Sequence, residues 1–196
     1  MIGVIFGPPG SGKGTQAARL ESELHLHHMS TGDILRAEAA RGSDLGREAG
    51  RIMAAGDLVP DDLIVNIVRA RLPEAERGAG ALLDGFPRTK KQADALDAML
   101  RDEGHEVNFI VALDVPEGVL VDRLLHRAQR EGRTDDNRAA IEERMREYHR
   151  LTEAVLEHYR RQGVPIHVID GTGTPDEVFA RVHDALSAGT SGISSR

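Results

Sequence analysis

An α/β domain built on a parallel sheet is the fold class that the patterning of this chain predicts, and three observations carry that prediction. Short apolar runs alternate with helix-length segments along the chain. The first run, Met1-Ile2-Gly3-Val4-Ile5-Phe6, passes directly into Gly7-Pro8-Pro9-Gly10-Ser11-Gly12-Lys13-Gly14-Thr15, a glycine-rich loop that opens a helix on a lysine. A later run ends on an acid in Leu83-Asp84-Gly85-Phe86-Pro87-Arg88-Thr89.

Taken in order, strands are expected at Ile2 to Phe6, near His27 to Met29, and at Ala81 to Asp84, Phe109 to Val115 and Ile166 to Ile169. Runs this short and apolar suit strands covered on both faces. Helices fill the gaps and cross over right-handedly. Residues 30–59 read instead as short polar helices punctuated by Gly32, Gly42, Gly46, Gly50 and Gly56, an appendage on the core. Residues 126–136, with Arg127, Arg130, Gly132 and Arg133, read as a second one. A long helix is expected from about Asp136 to Arg161, its stripe formed by Ile141, Met145, Tyr148, Thr152, Val155 and Tyr159. Thr174-Pro175-Asp176-Glu177 is a capping box with proline at the first helical position, so a last helix starts there. The Gly/Ser-rich end from Ala188 is expected to be disordered.

The glycine-rich loop is suited to polyphosphate. Glycines permit turns in which successive N–H groups face one anion; the following helix adds its positive end, and Lys13 adds a full charge. The spacing fits a phosphate loop with one departure, Gly14 where Ser or Thr ordinarily follows the lysine, and Thr15 can supply the hydroxyl instead. A plain tight turn does not explain four glycines and a lysine in nine positions. Asp84, at the end of a strand, stands where such a protein places a carboxylate for Mg²⁺ or its waters, although an acid there can also simply cap the turn at Gly85.

With 196 residues the chain can bury a sizeable core, and its longest apolar runs are far too short to span a membrane. A strand opening the chain leaves no room for a signal peptide, so a cytoplasmic location is expected. A net charge of −7 gives no global basic surface for nucleic acid, and zero cysteines exclude disulfides and Cys-ligated zinc. His25, His27 and His28 crowd together, but strand alternation splits them between faces, so no metal site is expected there.

Five motifs in order resemble those of the adenylate kinase family, over Met1 to about Leu186. They are the phosphate loop with its Gly14-Thr15, then Ser30-Thr31-Gly32-Asp33, Gly56-Asp57-Leu58-Val59-Pro60, Asp84-Gly85-Phe86-Pro87-Arg88, and Arg133-Thr134-Asp135-Asp136. The resemblance implies a phosphate-loop nucleotide kinase with a five-stranded parallel core, comprising residues 1–29, 60–125 and 137–187. It further implies a nucleoside-monophosphate-binding flap at 30–59, a short lid at 126–136 without structural zinc, and a disordered tail at 188–196. The implied reaction is reversible transfer from MgATP to AMP, giving two ADP, by a monomer with no nucleic-acid or membrane partner.

Residue by residue, the resemblance assigns Gly10, Ser11, Gly12, Lys13, Gly14 and Thr15 to the ATP phosphates, with Arg127 gripping ATP and the Gly173 backbone meeting its base. It assigns Thr31, Arg36, Asp57, Leu58, Val59, Gly85, Phe86, Pro87, Arg88 and Gln92 to AMP. Arg133 and Arg144 meet the phosphates being transferred, and Asp84 serves Mg²⁺ through water. The chemistry agrees: phosphoryl transfer needs positioning and stabilised negative charge, and an otherwise acidic chain supplies Lys13, Arg36, Arg88, Arg127, Arg133 and Arg144. No general base is needed, because the acceptor phosphate is already an anion.

Plainer readings stand beside these. Arg127, Arg130 and Arg133 can be the wet face of a helix continuing from Glu117, although Gly132 argues against its continuing. Arg144 lies about 60° from the centre of the long helix's stripe, where it can snorkel or reach a cleft. Gln92 can close a capping box begun by Thr89. A uridylate–cytidylate kinase is the nearest rival activity, with Thr31 favouring adenine over it. An ATP-binding sensor without turnover is the rival of another class, and it gives no reason for a second arginine cluster.

Overall fold

The structure is a computed structural model and describes residues 1–42, 44–76 and 79–190. Its centre is a five-stranded parallel sheet in the order β2-β3-β1-β4-β5, formed by β1 (Ile2–Phe6), β2 (His27–Ser30), β3 (Ala81–Asp84), β4 (Phe109–Asp114) and β5 (Ile166–Asp170). β1 lies in the middle, pairing Ile5 with Asp84 on one side and with Val111 on the other. The three inner strands β1, β3 and β4 are buried almost throughout because helices cover both faces, as parallel connections require, whereas the edge strands β2 and β5 are partly exposed.

Alternation sorts the strand residues into two cores. Ile2, Val4 and Phe6 join Met29, Leu83, Ile110 and Ala112 on one face, beneath α2 (Thr31–Ala40), α4 (Asp61–Glu76), α5 (Lys90–Asp102) and α8 (Glu153–Arg161). Ile5, Leu82, Val111 and Leu113 face the other way, against α1 (Lys13–Leu24) and α9 (Pro175–Thr190). A third, smaller cluster joins Leu120 and Leu124 of α6 (Glu117–Glu131) to Ile141 and Met145 of α7 (Arg138–Glu147). No helix among the described residues is long and apolar enough to cross a membrane.

Three expectations need correction. The long helix from Asp136 to Arg161 is not one α-helix: a 3₁₀ turn at Thr134–Asp136 precedes α7, and a turn of π-helix at Tyr148–Thr152 separates α7 from α8. Its stripe therefore divides, with Ile141 and Met145 in the third core and Val155 and Tyr159 in the first. The appendage expected from residue 126 does not begin there. α6 runs on to Glu131, and Gly132, at φ +63°, ends it in the left-handed conformation that favours glycine. Finally, residues 188–190 of the expected tail belong to α9, while 191–196 lie outside the described residues.

The segment 30–59 folds as α2 and α3 (Asp44–Ala55), packed so closely that a Cβ on Gly46 would lie 2.1 Å from the Glu38 carbonyl oxygen. The end of this pair reaches α7, since Asn137 donates to the Ala54 carbonyl at 3.3 Å.

Candidate active site

A cleft of about 1280 Å³ opens along the carboxyl ends of β1 and β3, where ligands bind in open parallel sheets. Its floor is the phosphate loop. Gly7, Gly10 and Gly12 have φ of +155°, +82° and +97°, and Ser11 N–H closes a turn on the Pro8 carbonyl at 3.1 Å. The Ser11 hydroxyl is buried with no hydrogen-bond partner, and Lys13 Nζ donates to the carbonyls of Gly7 at 2.7 Å and Pro8 at 3.0 Å. Burial drives the Lys13 pKa down to about 7; Asp84 works against that fall, whereas Arg88, Arg144 and Arg127 add to it. The loop thus presents the Lys13 amine and an unpaired hydroxyl, with no acidic residue of its own.

β3 delivers the next group. Asp84 is buried at its end, 3.4 Å from His28 Nε2, and its Oδ2 lies 3.7 Å from where a Cβ on Gly14 would stand. His28 is raised in pKa: its burial opposes the charge and the Asp84 carboxylate more than offsets that. Gly85, at φ +78°, turns the chain, and a Cβ there would crowd Thr31 Oγ1 at 3.0 Å and Arg88 Nη2 at 3.1 Å. Arg88 Nε donates to the Gly85 carbonyl at 2.9 Å, and burial, then Arg144, lower its pKa to about 10.

α6 and α7 supply the opposite wall. Arg127 makes a two-pronged contact with Asp136, Nε to Oδ2 at 2.6 Å and Nη2 to Oδ1 at 2.7 Å. Arg144 Nη1 donates to the same Oδ1 at 2.9 Å and to the Asp135 carbonyl at 3.0 Å. Burial disfavours charge on both Arg127 and Asp136, yet their pairing raises the former pKa and lowers the latter. Arg144 is lowered by burial despite Asp135 and Asp136. Arg133 is held by Glu131 at 2.8 Å, and Arg36 by Asp33 at 2.6 Å with Asp135 at 3.8 Å.

Most of the residues expected from sequence line this one cleft: Gly10 to Thr15, Arg36, Leu58, Asp84 to Arg88, Arg127, Arg133, Arg144 and Gly173. Thr31, Asp57, Val59 and Gln92 do not. Thr31 is buried, its hydroxyl donating to the Asp84 carbonyl at 3.3 Å. The Gln92 side chain accepts from Arg88 N–H at 2.7 Å and donates to Asp61 at 2.7 Å. Thr89 caps α5 through Gln92 N–H as the capping reading requires, but the return bond goes to Arg88 rather than Thr89. Arg127 and Arg130 do sit on a helix continuing from Glu117, and both face the cleft.

Two contributions escaped the sequence reading. Arg123 lines the cleft one helical turn before Arg127 and donates to the Gly171 carbonyl at 3.1 Å; arginines at i and i+4 were the available signal. Asp135 and Asp136 stood in a quoted motif without a role, and they are what holds Arg127 and Arg144 in place.

A family model described as adenylate kinase matches residues 5–164. The chain is 49% identical over 183 residues to a protein named adenylate kinase from Thermus thermophilus, covering 93% of this chain and 95% of that one. Proteins of the same name from Xanthomonas campestris pv. campestris and Xylella fastidiosa are 46% and 45% identical, each match covering 93% of this chain and 97% of the relative.

Proposed function

The chain belongs to the adenylate kinase family, and from that premise we propose how its own residues divide the work. It is an enzyme that transfers a phosphoryl group between ATP and AMP, with two ADP as the products of the forward direction. ATP phosphates lie on the backbone N–H groups from Gly10 to Thr15, where Lys13 exchanges its two carbonyl acceptors for phosphate oxygens and regains its charge. Arg36 and Arg88 hold the AMP phosphate, with Thr31, Asp57 to Val59, Gly85 to Pro87 and Gln92 shaping the acceptor side. Arg127, Arg133 and Arg144 stabilise charge on the group in flight. The Gly173 backbone meets the ATP base. The AMP phosphate attacks as an anion, so no proton need be removed first.

Asp84 suits magnesium: it is a hard oxygen donor at a strand end, facing Gly14 of the phosphate loop. The ion, bound with ATP and reached from Asp84 through water, supplies further neutralisation of the phosphate oxygens. Residues 30–59 act as the flap over the acceptor and 126–136 as the lid that excludes water during transfer. The same reading describes a cytoplasmic monomer, in keeping with both nucleotide sides lying in one chain.

One observation carries the proposal. Lys13, Arg88, Arg127 and Arg144, from four separate segments of an acidic chain, line one cleft, and the three arginines add to the fall in the Lys13 pKa that burial begins. Cations gathered this way favour an anion between them.

The test is a ligand of two adenosines joined by five phosphates. It collects both sets of phosphate contacts for one loss of translational freedom, so it is expected to bind far tighter than ATP or AMP. At a thousandfold excess over Kd it adds about 4 kcal/mol of apparent stability, read as a thermal shift with one ligand bound per chain. Arg88→Ala is expected to remove most of that advantage over ATP while leaving the shift from ATP itself. A bridged ligand that stabilises the protein no better than ATP leaves the sensor reading in its place.

A further inference from the structure

The turn from β5 into α9 uses nearly every backbone polar group it has. Gly171 N–H donates to the Asp114 carbonyl at 2.8 Å, and the Gly171 carbonyl accepts from Arg123 at 3.1 Å. Thr172 N–H donates to Asp170 Oδ1 at 2.9 Å, and Thr174 N–H to Glu177 Oε2 at 2.8 Å. The Thr174 carbonyl accepts from Val178 N–H at 3.1 Å, in the first turn of α9. Arg181 Nη1 takes two more carbonyls, those of Asp170 and Thr172, each at 2.7 Å. From 171 to 174 only the Gly173 N–H and C=O have no partner among the described residues, and Gly173 lines the cleft. The neighbouring Gly171 backs onto the phosphate loop, its Cβ position 3.5 Å from the Ser11 carbonyl oxygen.

An unpaired donor and acceptor on one residue, beside the phosphate loop, match a base edge that offers an amino group next to a ring nitrogen. Arg181 itself does not line the cleft, and its side chain is 40% exposed. It contacts no substrate, so its effect on the base must pass through the loop. We propose that Arg181 is a positioning residue that sets the donor-base preference of the enzyme, by withholding the Asp170 and Thr172 carbonyls so that Gly173 alone is presented. The proposal rests on the reading that Gly173 meets the base of ATP. Losing the guanidinium frees the Thr172 carbonyl one residue away. The loop then has competing acceptors and no fixed register against an amino-bearing base, so the distinction from a base with a carbonyl in that place weakens.

The experiment measures kcat/KM for ATP and for inosine triphosphate, with AMP as acceptor, in the wild type, Arg181→Ala and Arg181→Lys. A parallel titration follows the Gly173 amide signal of ¹⁵N-labelled protein. Arg181→Ala is expected to narrow the ATP preference about tenfold through KM for ATP, with KM for AMP unchanged and kcat within about twofold. Arg181→Lys, which retains a donor on a long stem, is expected to recover most of the preference. If Arg181→Ala lowers Tm but leaves the preference intact while the Gly173 amide still responds to ATP, the proposal is overturned and the donor-base reading survives. If the Gly173 amide of the wild type does not respond to saturating ATP, the donor-base reading falls, and the proposal with it.

Discussion

Lys13 and Arg88 approach the cleft from the phosphate loop and the end of β3 with only carbonyl oxygens as hydrogen-bond acceptors, whereas Arg127 and Arg144 reach it from α6 and α7 already bound to Asp136. Both sets are partly buried, but they are kept in place by different means. The first pair has no carboxylate within ion-pair distance among the described residues, and its pKa values fall to about 7 and about 10. The second pair shares a carboxylate whose side chain is fully buried, so those guanidinium groups are oriented before any nucleotide arrives. One side of the cleft holds groups whose charged forms an incoming anion would favour, and the other is fixed in geometry beforehand. A phosphoryl-transfer site needs both, because charge in the wrong place and order without charge are equally unproductive.

The sharpest way to break this comparison is to remove Lys13. Lys13→Ala is expected to lower kcat/KM by about a thousandfold or more with a native far-UV CD spectrum. A folded variant that keeps substantial activity shows that the phosphate loop works without its lysine.

Removing the order instead is expected to cost less. Asp136→Asn keeps shape but loosens both arginines, and a drop in kcat of about tenfold to a hundredfold is expected with a smaller change in KM for ATP. The acid limb of stability supplies a second reading. The folded pKa of Asp136 lies below its ordinary value, so its contribution is complete above the unfolded pKa, about 4, and disappears as pH falls through the folded one. Denaturant titrations from pH 6 to pH 2 are expected to show that loss in the wild type and a flatter curve in Asp136→Asn. Identical curves mean that the Asp136 pairing contributes nothing to the fold.

The smallest effect is a proton. A lysine with a pKa of about 7 is mostly neutral at pH 8, and phosphate in contact with it restores the charged form. ATP binding at pH 8 is therefore expected to take up close to one proton, seen as a dependence of binding enthalpy on buffer ionisation. The uptake shrinks below pH 7, where Lys13 is already charged, and is absent in Lys13→Met. Proton-neutral binding at pH 8 removes the idea that Lys13 waits uncharged.

The same contrast explains what the sequence disclosed. The phosphate loop is a local object: its glycines, lysine and following helix are adjacent, so nine residues suffice to recognise it. The inner strands β1, β3 and β4 were legible because coverage on both faces makes them plain apolar runs. The Arg127–Asp136 pair was hidden because it forms across the turn at Gly132, and nothing in either residue's neighbourhood says that α6 and α7 come together there. Gln92 was ambiguous for a related reason, since its side-chain oxygen is claimed by Arg88 N–H four residues earlier and its nitrogen by Asp61 from α4. The interruption after α7 left no mark either. The spacings from Ile141 to Tyr159 fit one continuous α-helical stripe, and only the two separate cores to which its halves belong reveal the break.

That break makes chain length itself a functional quantity. In an α-helix each residue advances the side-chain direction by about 100°, whereas the wider ring of the Tyr148–Thr152 turn takes up one residue beyond what an α-turn uses. α7 and α8 are thereby set out of angular phase, so Met145 and Val155 each meet their own core while Arg144 lines the cleft. Were the chain one residue shorter there, the helix could close into unbroken α-form with its backbone hydrogen bonds intact. Arg144, together with the aspartates that precede it in the chain, would then be turned by about a quarter-turn relative to α8. The defect would be one of timing along the chain rather than of composition, and no single side chain would be at fault.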